Sequence, residues 1–328
     1  MQKGKLSYRK AIYNALDHVM ERDEKVVFMG EDITEYGGAF GVSSDLCRKH
    51  PGRVIATPIS EGGFTGAAVG LSMTGYRVII EIMFMDFITL AADQIINHAA
   101  NVHYMYGGQV KCPLVIRTPA GGYRGYGPSH SKSMENFFMS VPGLKIVAPS
   151  TALDAYGCLV SAVYDNNPVL FVEHKLLYNI EEDAYPKRLE AIPLGKARVA
   201  RAGADVTVVS HSYGVQLSME AAKELEKEGV DVELIDIRTL KPLDMAAIEA
   251  SVKKTGRLVY VEEGDTFGGI GSEVVSGIVE RCLPYLDGRV LRVGKPEVPI
   301  PASMVAERFI LPDTGRIKEA VKKSLSWK

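Results

Sequence analysis

Short apolar runs rich in β-branched residues alternate with helical patterns along most of the 328 residues. In the first half, the runs predicted to be strands are Lys25–Met29, Arg53–Thr57, Tyr76–Ile82, Pro113–Thr118, Leu144–Pro149 and Pro168–His174. The stretches predicted to be helices are Tyr8–Glu21, Glu61–Thr74, Thr89–Tyr104 and Ala152–Asn166. Near-continuously apolar strands separated by helices are typical of a parallel sheet covered on both faces. The sequence therefore predicts an α/β fold with a mostly parallel, doubly wound sheet.

The alternation is interrupted once and then resumes. Residues 186–203 form a polar, proline-containing stretch, which predicts a linker between a first domain at 1–185 and a smaller α/β domain at 204–328. The second domain is predicted to contain strands at 205–210, 231–237, 257–263 and 289–293, with helices at Val215–Glu228, Asp244–Lys254, Gly271–Cys282 and Thr314–Leu325. Two domains agree with the usual size of about 150 residues each.

The charge balance and the apolar runs exclude several classes of protein. Lys and Arg number 38 against 40 Asp and Glu, so no net charge attracts nucleic acid or an anionic membrane. The longest apolar run is broken by Glu81 and Asp86, well short of the ~20 residues of a membrane span. The first residues lack the apolar core of a signal peptide. A cytoplasmic protein is expected, with free thiols at the widely spaced Cys47, Cys112, Cys158 and Cys282.

Nucleotide and metal motifs are weak in this sequence. Gly269 and Gly271 begin a dinucleotide fingerprint, but Val274 stands where the third glycine belongs, and no P-loop motif occurs. His98 and His103 are five residues apart and do not share a helix face. The segment Asp165–Pro168 either supplies oxygen atoms to a hard cation or forms an Asx turn at the end of a helix.

Two clusters stand out among the 32 glycines of the chain, many of which are turn residues. One is the helix predicted to begin at Glu61, with Ser60 as its cap and several glycines between Gly62 and Gly70. Each glycine inside a helix costs up to ~1 kcal/mol relative to alanine, so this density indicates a close neighbour, either another helix or a ligand. Glu61 follows a strand at the sheet edge where ligands bind, although an acidic residue also suits a first helical turn.

The other glycine cluster is the loop Gly121–Gly127, which also follows a predicted strand. His130 comes just after it, between two serines. Histidine often acts as an acid or base near neutral pH, although a solvated loop histidine has the same local pattern. A hydrolase triad is not supported, because no GxSxG motif accompanies the histidine.

Several motifs in order (PISEGGF, FMDF, GPSHSKS, DNNP and VVSHSYG) resemble one family nearly end to end. It is the β-subunit of the thiamine-diphosphate-dependent decarboxylating component of 2-oxo acid dehydrogenase complexes, which act on pyruvate, branched-chain 2-oxo acids or acetoin. The resemblance implies a transketolase-like pyrimidine-binding domain followed by a transketolase-like C-terminal domain. It also implies oxidative decarboxylation of a 2-oxo acid, with acyl transfer to a lipoyl group on a partner acyltransferase.

The resemblance assigns roles to individual residues. Glu61 matches the glutamate that hydrogen-bonds the 1′ nitrogen of the cofactor's aminopyrimidine ring, and Phe87 matches the aromatic residue that packs on that ring. His130 matches a histidine that handles the reaction intermediate and the lipoyl group. A potassium site of some relatives corresponds to Leu114, Ala162, Val163, Asp165 and Asn167.

One family motif is missing, and one residue departs from the usual pattern. The family holds Mg²⁺ and the diphosphate with a GDG motif, which does not occur here. The resemblance therefore implies that an α-subunit supplies those ligands in an α₂β₂ heterotetramer. Lys132 stands where relatives commonly have glutamine, so lipoyl docking or substrate choice is expected to differ.

Two other functions remain open from the sequence. A split enzyme with the same cofactor could cleave acetoin or transfer groups as transketolase does. A non-catalytic scaffold subunit is the third possibility, but it has no need of Glu61, Phe87 and His130.

Overall fold

A computed structural model describes residues 5–182 and 189–326. The described residues form two compact units. The first comprises those of Met1–Ala120 and Ser140–Leu194, and the second those of Gly121–Met139 and Gly195–Lys328. None of the helices in the described ranges combines the length and the apolar character needed to cross a membrane.

A parallel sheet forms the centre of the first unit. Its strands are β1 (Leu6–Ser7), β2 (Val26–Gly30), β3 (Val54–Ala56), β4 (Arg77–Glu81), β5 (Leu114–Ala120), β6 (Lys145–Val147), β7 (Val169–His174) and β8 (Glu181–Glu182). Six of them are parallel neighbours in the order β6-β7-β5-β4-β2-β3, while β1 and β8 pair antiparallel. Because β2, β5 and β7 are buried along their whole length, the predicted mostly parallel α/β sheet is confirmed.

The helices of the first unit are α1 (Tyr8–Arg22), α2 (Leu46–Lys49), α3 (Glu61–Met73), α4 (Val102–Met105) and α5 (Ala152–Val163). The side chain of Ser7 caps α1 by accepting from Lys10 N, and Thr151 caps α5 by accepting from Asp154 N. Helices α1 and α5 pack against each other.

Two predicted helices differ in the structure. The prediction of one helix at Thr89–Tyr104 is wrong: a 3₁₀ helix at Met85–Ala91 and a π-helix at Gln94–Ala99 precede the short α4. Both irregular turns pack on α3, where Gly62 and Gly66 leave room for this close approach. Helix α5 ends at Val163 instead of Asn166, because Asp165 Oδ1 accepts from Asn167 N in an Asx turn before Pro168.

The second unit has its own sheet. The strands of this sheet are β9 (Arg198–Arg201), β10 (Val206–Ser210), β11 (Val232–Asp236), β13 (Leu258–Asp265) and β14 (Leu291–Lys295). The short strand β12 (Thr239–Lys241) is not part of it. The sheet order is β14-β13-β10-β11-β9, parallel except for β9. The helices are α6 (Tyr213–Glu226), α7 (Met245–Thr255), α8 (Ile270–Cys282), α9 (Met304–Ile310) and α10 (Thr314–Leu325). Strand valines and residues of α6 and α10 form its core.

The structural division differs from the predicted domains 1–185 and 204–328 in two places. Of the predicted linker 186–203, residues 186–188 lie outside the described residues, and Arg198–Arg201 forms β9 against β11. The segment Gly121–Met139 belongs to the second unit although it follows β5 of the first. Alternating polarity over four residues was too short a signal for β9.

The glycines at the start of α8 bind a carboxylate of their own chain. Glu262 accepts hydrogen bonds from Ile270 N at 2.9 Å and from Gly271 N at 3.0 Å. Burial raises the pKa of Glu262 to about 7. Because the side chain takes the N–H groups that would hold a phosphate, the partial fingerprint at Gly269 does not form a nucleotide site.

Candidate active site

Glu61 occupies the position predicted for it, at the carboxyl edge of the first unit's sheet. Strand β3 ends at Ala56, and Glu61 is the first residue of α3. Its side chain is only 6% exposed. The predicted capping bond from the Ser60 side chain is not made, so Ser60 contributes its carbonyl, which accepts from Phe64 N at 2.9 Å. A buried carboxyl group thus stands at the ligand-binding edge of an α/β sheet.

Glu31 lies in the same carboxyl cluster and was missed by the sequence analysis. It directly follows β2, is 5% exposed, and its Oε1 has no hydrogen-bond partner among the described residues. Burial raises the pKa of Glu31 to about 7, and the negative charges of Glu61, Asp32 and Glu81 add to the effect. The one available signal was an acidic pair placed immediately after a fully apolar strand.

A buried ion network lies beside this cluster. Arg117 Nη1 donates to Glu81 Oε2 at 2.7 Å, and its Nε and Nη2 donate to the two carboxylate oxygens of Glu173 at 2.7 and 2.9 Å. The hydroxyl of Tyr178 also donates to Glu173. Burial raises the pKa of Glu81, which Arg117 opposes. One guanidinium thus faces two carboxylates, and the charge of Glu81 is one of the causes that raise the pKa of Glu31.

Phe87 lies in the 3₁₀ helix that packs against α3. Its ring is half-buried and meets Phe84 edge to face, with centroids 5.9 Å apart. The ammonium of Lys175 lies 5.3 Å from the Phe84 ring centre. The 3₁₀ turn therefore adds aromatic surface to the same unit that carries Glu61.

Neighbours within the protein explain part of the glycine cluster in α3. A Cβ atom on Gly62 would lie 3.0 Å from the carbonyl oxygen of Leu90, and one on Gly66 would lie 3.0 Å from Gln94 Oε1. A Cβ atom on Gly70 would meet no described atom within 4 Å. The close neighbour that the sequence predicted is thus a segment of this chain at Gly62 and Gly66.

His130 lies in the second unit, in the loop that follows β5. The ring is half-buried, and its Nδ1 is 2.9 Å from Ser129 Oγ. Lys132, which differs from the common glutamine, is exposed and lines a cavity of about 470 Å³. Other lining residues of that cavity are Ser133, Asn136, Phe137, Glu263 and Val298. The structure thus groups Glu61 with Phe87 in one unit and places His130 in the other.

The five residues predicted for a potassium site lie at the end of α5 and the start of β5. Cys112 N donates to Asn166 O at 3.0 Å, which joins the two segments. The Asp165 carboxylate is paired with Lys145, and Arg77 Nη1 donates to the carbonyl of Val163 at 3.0 Å. Lys145 therefore already neutralises the carboxylate and Arg77 already binds the Val163 carbonyl, so the other main-chain carbonyls are the groups left for a potassium ion.

The chain matches two family models and many curated proteins. The model described as "Transketolase, pyrimidine binding domain" matches residues 4–181, and "Transketolase, C-terminal domain" matches residues 195–317. The pyruvate dehydrogenase E1 component subunit beta of Rickettsia felis is 43% identical over 97% of this chain and 98% of its own length. The mitochondrial one of Caenorhabditis elegans is 43% identical over 98% of this chain and 93% of its own.

A solved structure is similar along the whole chain. It is entitled "Split gene transketolase, inactive beta4 tetramer". The TM-score is 0.80 at 25% sequence identity, covering 99% of this chain and 100% of the other.

Proposed function

The chain belongs to the family of pyruvate dehydrogenase E1 β-subunits with transketolase-type domains, and on that premise we propose that it forms half of an active site for oxidative decarboxylation of a 2-oxo acid. The observation that carries the proposal is the buried pair Glu61 and Glu31 at the sheet edge, in the unit that also contains Phe87.

These residues fit the aminopyrimidine ring of thiamine diphosphate. The ring carries basic nitrogen atoms, which a buried carboxyl group binds best by sharing a proton. Glu61 would hold the 1′ nitrogen, and the Phe87 ring would pack on the face of the heterocycle. Buried polar atoms are normally hydrogen-bonded, but Oε1 of Glu31 has no partner among the described residues. This supports the binding of a polar ligand at this edge of the sheet. When bound, the cofactor supplies an acidic thiazolium carbon and an electron sink.

The proposed task of the carboxyl pair is to hold a proton at the position that the ring nitrogen would occupy. Burial and the neighbouring negative charges raise the pKa of Glu31 to about 7, so this carboxyl group is about half protonated at neutral pH. Glu61 would share a proton with the ring nitrogen, and Glu31 would supply a second buried carboxyl group beside it. Burial of both side chains strengthens these interactions by excluding solvent.

His130 is proposed to serve the second half-reaction. Its imidazole would donate a proton to the sulfur released when the acyl group passes to a lipoyl disulfide on a partner acyltransferase. Support comes from its place in the PSHS motif, from its half-buried ring and from Ser129 Oγ, which lies 2.9 Å from Nδ1. Lys132 on the cavity wall is the residue expected to distinguish this chain's lipoyl docking or substrate choice.

The remaining half of the site is proposed to come from an α-subunit. The GDG motif that holds Mg²⁺ and the diphosphate in this family is absent from the sequence. We therefore propose an α₂β₂ heterotetramer in the cytoplasm, in which the partner binds the diphosphate end of the cofactor. Potassium is proposed to bind main-chain carbonyls at the end of α5, including that of Ala162.

Reconstitution with a GDG-containing α-subunit tests this function. The pair should decarboxylate a 2-oxo acid and acylate a lipoyl domain, and light scattering should give two copies of each subunit. Pyruvate, branched-chain 2-oxo acids, acetoin and sugar phosphates form the substrate panel. Activity with acetoin alone or with sugar phosphates alone would contradict the proposal and support one of the two alternative reactions. A cofactor-saturated pair that is inactive on every substrate would support a non-catalytic scaffold subunit.

A further inference from the structure

We infer that Glu263 and Glu307 are positioning residues, which hold the His130 loop in one conformation for acyl transfer. The inference rests on the role proposed for His130. Glu263 and Glu307 lie on the sheet and on a helix of the second unit, and no other residue of that sheet or its helices has a role in the proposed reaction.

Glu263, on β13, joins both ends of the loop. Its Oε1 accepts from Gly122 N at 2.7 Å and from Ser133 Oγ at 3.0 Å. Gly122 and Ser133 flank His130 in the sequence, and Gly121 N closes the same loop by donating to Lys132 O at 3.3 Å. One carboxylate oxygen therefore fixes the base of the loop on which the histidine stands.

Glu307, on α9, holds the middle of the loop. The side chain is fully buried, and its Oε2 accepts from Gly125 N at 2.7 Å. A Cβ atom on Gly125 would lie 2.8 Å from Met304 Cγ, so the backbone lies directly on α9. Tyr123 adds a third anchor, because its hydroxyl donates to Pro312 O at 2.7 Å.

The loop needs such anchors because its own sequence does not determine its conformation. Gly121, Gly125 and Gly127 have φ angles of +94°, +69° and +74°, and Tyr123 has +65°. Glycine loses more conformational entropy on folding than any other residue, and a tyrosine with a positive φ angle is strained. Hydrogen bonds from backbone N–H groups to a carboxylate are roughly twice as strong as neutral ones, so two of them can offset this tendency.

Glu263 offers the sharper test because it is only partly buried, so truncation is tolerated better than at Glu307. Glu263→Ala removes the acceptor, whereas Glu263→Gln keeps an oxygen in the same place. Glu280→Ala, an exposed glutamate on α8, is the matched control. Each variant is measured in the reconstituted enzyme.

Two readouts separate positioning from general stability. Hydrogen–deuterium exchange over residues 121–134 should rise about tenfold in Glu263→Ala and remain within about threefold of the parent in Glu263→Gln. The kcat for acylation of a lipoyl domain should fall about tenfold in Glu263→Ala. The KM for the 2-oxo acid and the rate of decarboxylation with an artificial oxidant should stay at the parent values, because the role proposed for His130 lies in the acyl transfer that follows decarboxylation.

His130→Ala distinguishes failure of this inference from failure of the proposed function. If His130→Ala lowers lipoyl acylation while Glu263→Ala changes neither exchange nor acylation, the positioning role is wrong and the function stands. If Glu263→Ala lowers decarboxylation and acylation equally, its effect is structural and the inference is also wrong. If His130→Ala acylates normally, the role of His130 fails, and the inference fails with it.

Discussion

Replacing Glu31 with glutamine removes a titratable proton from the carboxyl cluster and leaves the shape of the side chain nearly unchanged. Glu31 is 5% exposed, and burial next to Glu61, Asp32 and Glu81 raises its pKa to about 7. In the unfolded chain the same carboxyl group titrates near its ordinary pKa of about 4.3. The folded protein therefore binds this proton more tightly than the unfolded chain does.

The sign of the effect follows from that difference. The stabilising contribution of the proton is fully present below pH ~4.3 and is lost as the pH rises through about 7. At about 1.36 kcal/mol for each tenfold difference in proton affinity, the whole loss is between about 3 and 4 kcal/mol. Most of it, about 2 kcal/mol or more, falls between pH 5 and pH 8. The stability of Glu31→Gln does not contain this pH-dependent contribution, because the amide does not ionise.

Thermal unfolding of the cofactor-free chain at several pH values measures the effect. The Tm of Glu31→Gln relative to the parent should rise by roughly 5 °C between pH 5 and pH 8. Glu35→Gln is the matched control, since Glu35 is exposed in the same segment and should show a constant difference. A Tm difference for Glu31→Gln that does not change with pH would refute the argument that burial and neighbouring charges raise this pKa.

Three further predictions concern the ion network, the cation site and the missing half of the active site. Arg117→Leu leaves Glu81 and Glu173 buried without their cation, so the free energy of unfolding should fall by about 3–5 kcal/mol. Urea denaturation at pH 7 measures this loss, and a loss below about 1 kcal/mol would contradict the prediction. Replacing NaCl with KCl should raise the Tm of the chain by a few degrees, since potassium would bind the folded state alone; identical Tm values in both salts would exclude the site. The isolated chain should bind thiamine diphosphate weakly by calorimetry, and tight Mg²⁺-dependent binding without a partner would contradict the half-site.

The sheet and the start of α3 could be predicted because the signals are local. The apolar runs of β2 and β5 identify these strands from their own residues. The start of α3 at Glu61 was predicted correctly, because Pro58 ends the preceding strand and Ser60 is a typical residue before a helix. The family resemblance then indicated the fold, which the comparisons confirm. The roles of Glu61, Phe87 and His130 stay predictions.

Features that depend on contacts between distant residues could not be predicted. Glu31 has the sequence signature of any acidic residue after a strand, and only burial near Glu61 gives it an altered pKa. The segment 85–105 has an apolar pattern that is typical of one α-helix. In the structure it packs against Gly62 and Gly66 of α3 and forms a 3₁₀ helix followed by a π-helix. The loop 121–139 is held by Glu263 and Glu307, more than 120 residues away in the sequence.

The central claim is that Glu61 moves the proton that activates the cofactor, and Glu61→Gln in the reconstituted enzyme tests it most directly. Glutamine keeps the hydrogen-bonding shape but cannot exchange a proton with the ring nitrogen, so kcat should fall by a factor on the order of 10²–10⁴. Assembly with the α-subunit should be unchanged by light scattering. Turnover within about threefold of the parent in a fully assembled, cofactor-saturated enzyme would contradict the account.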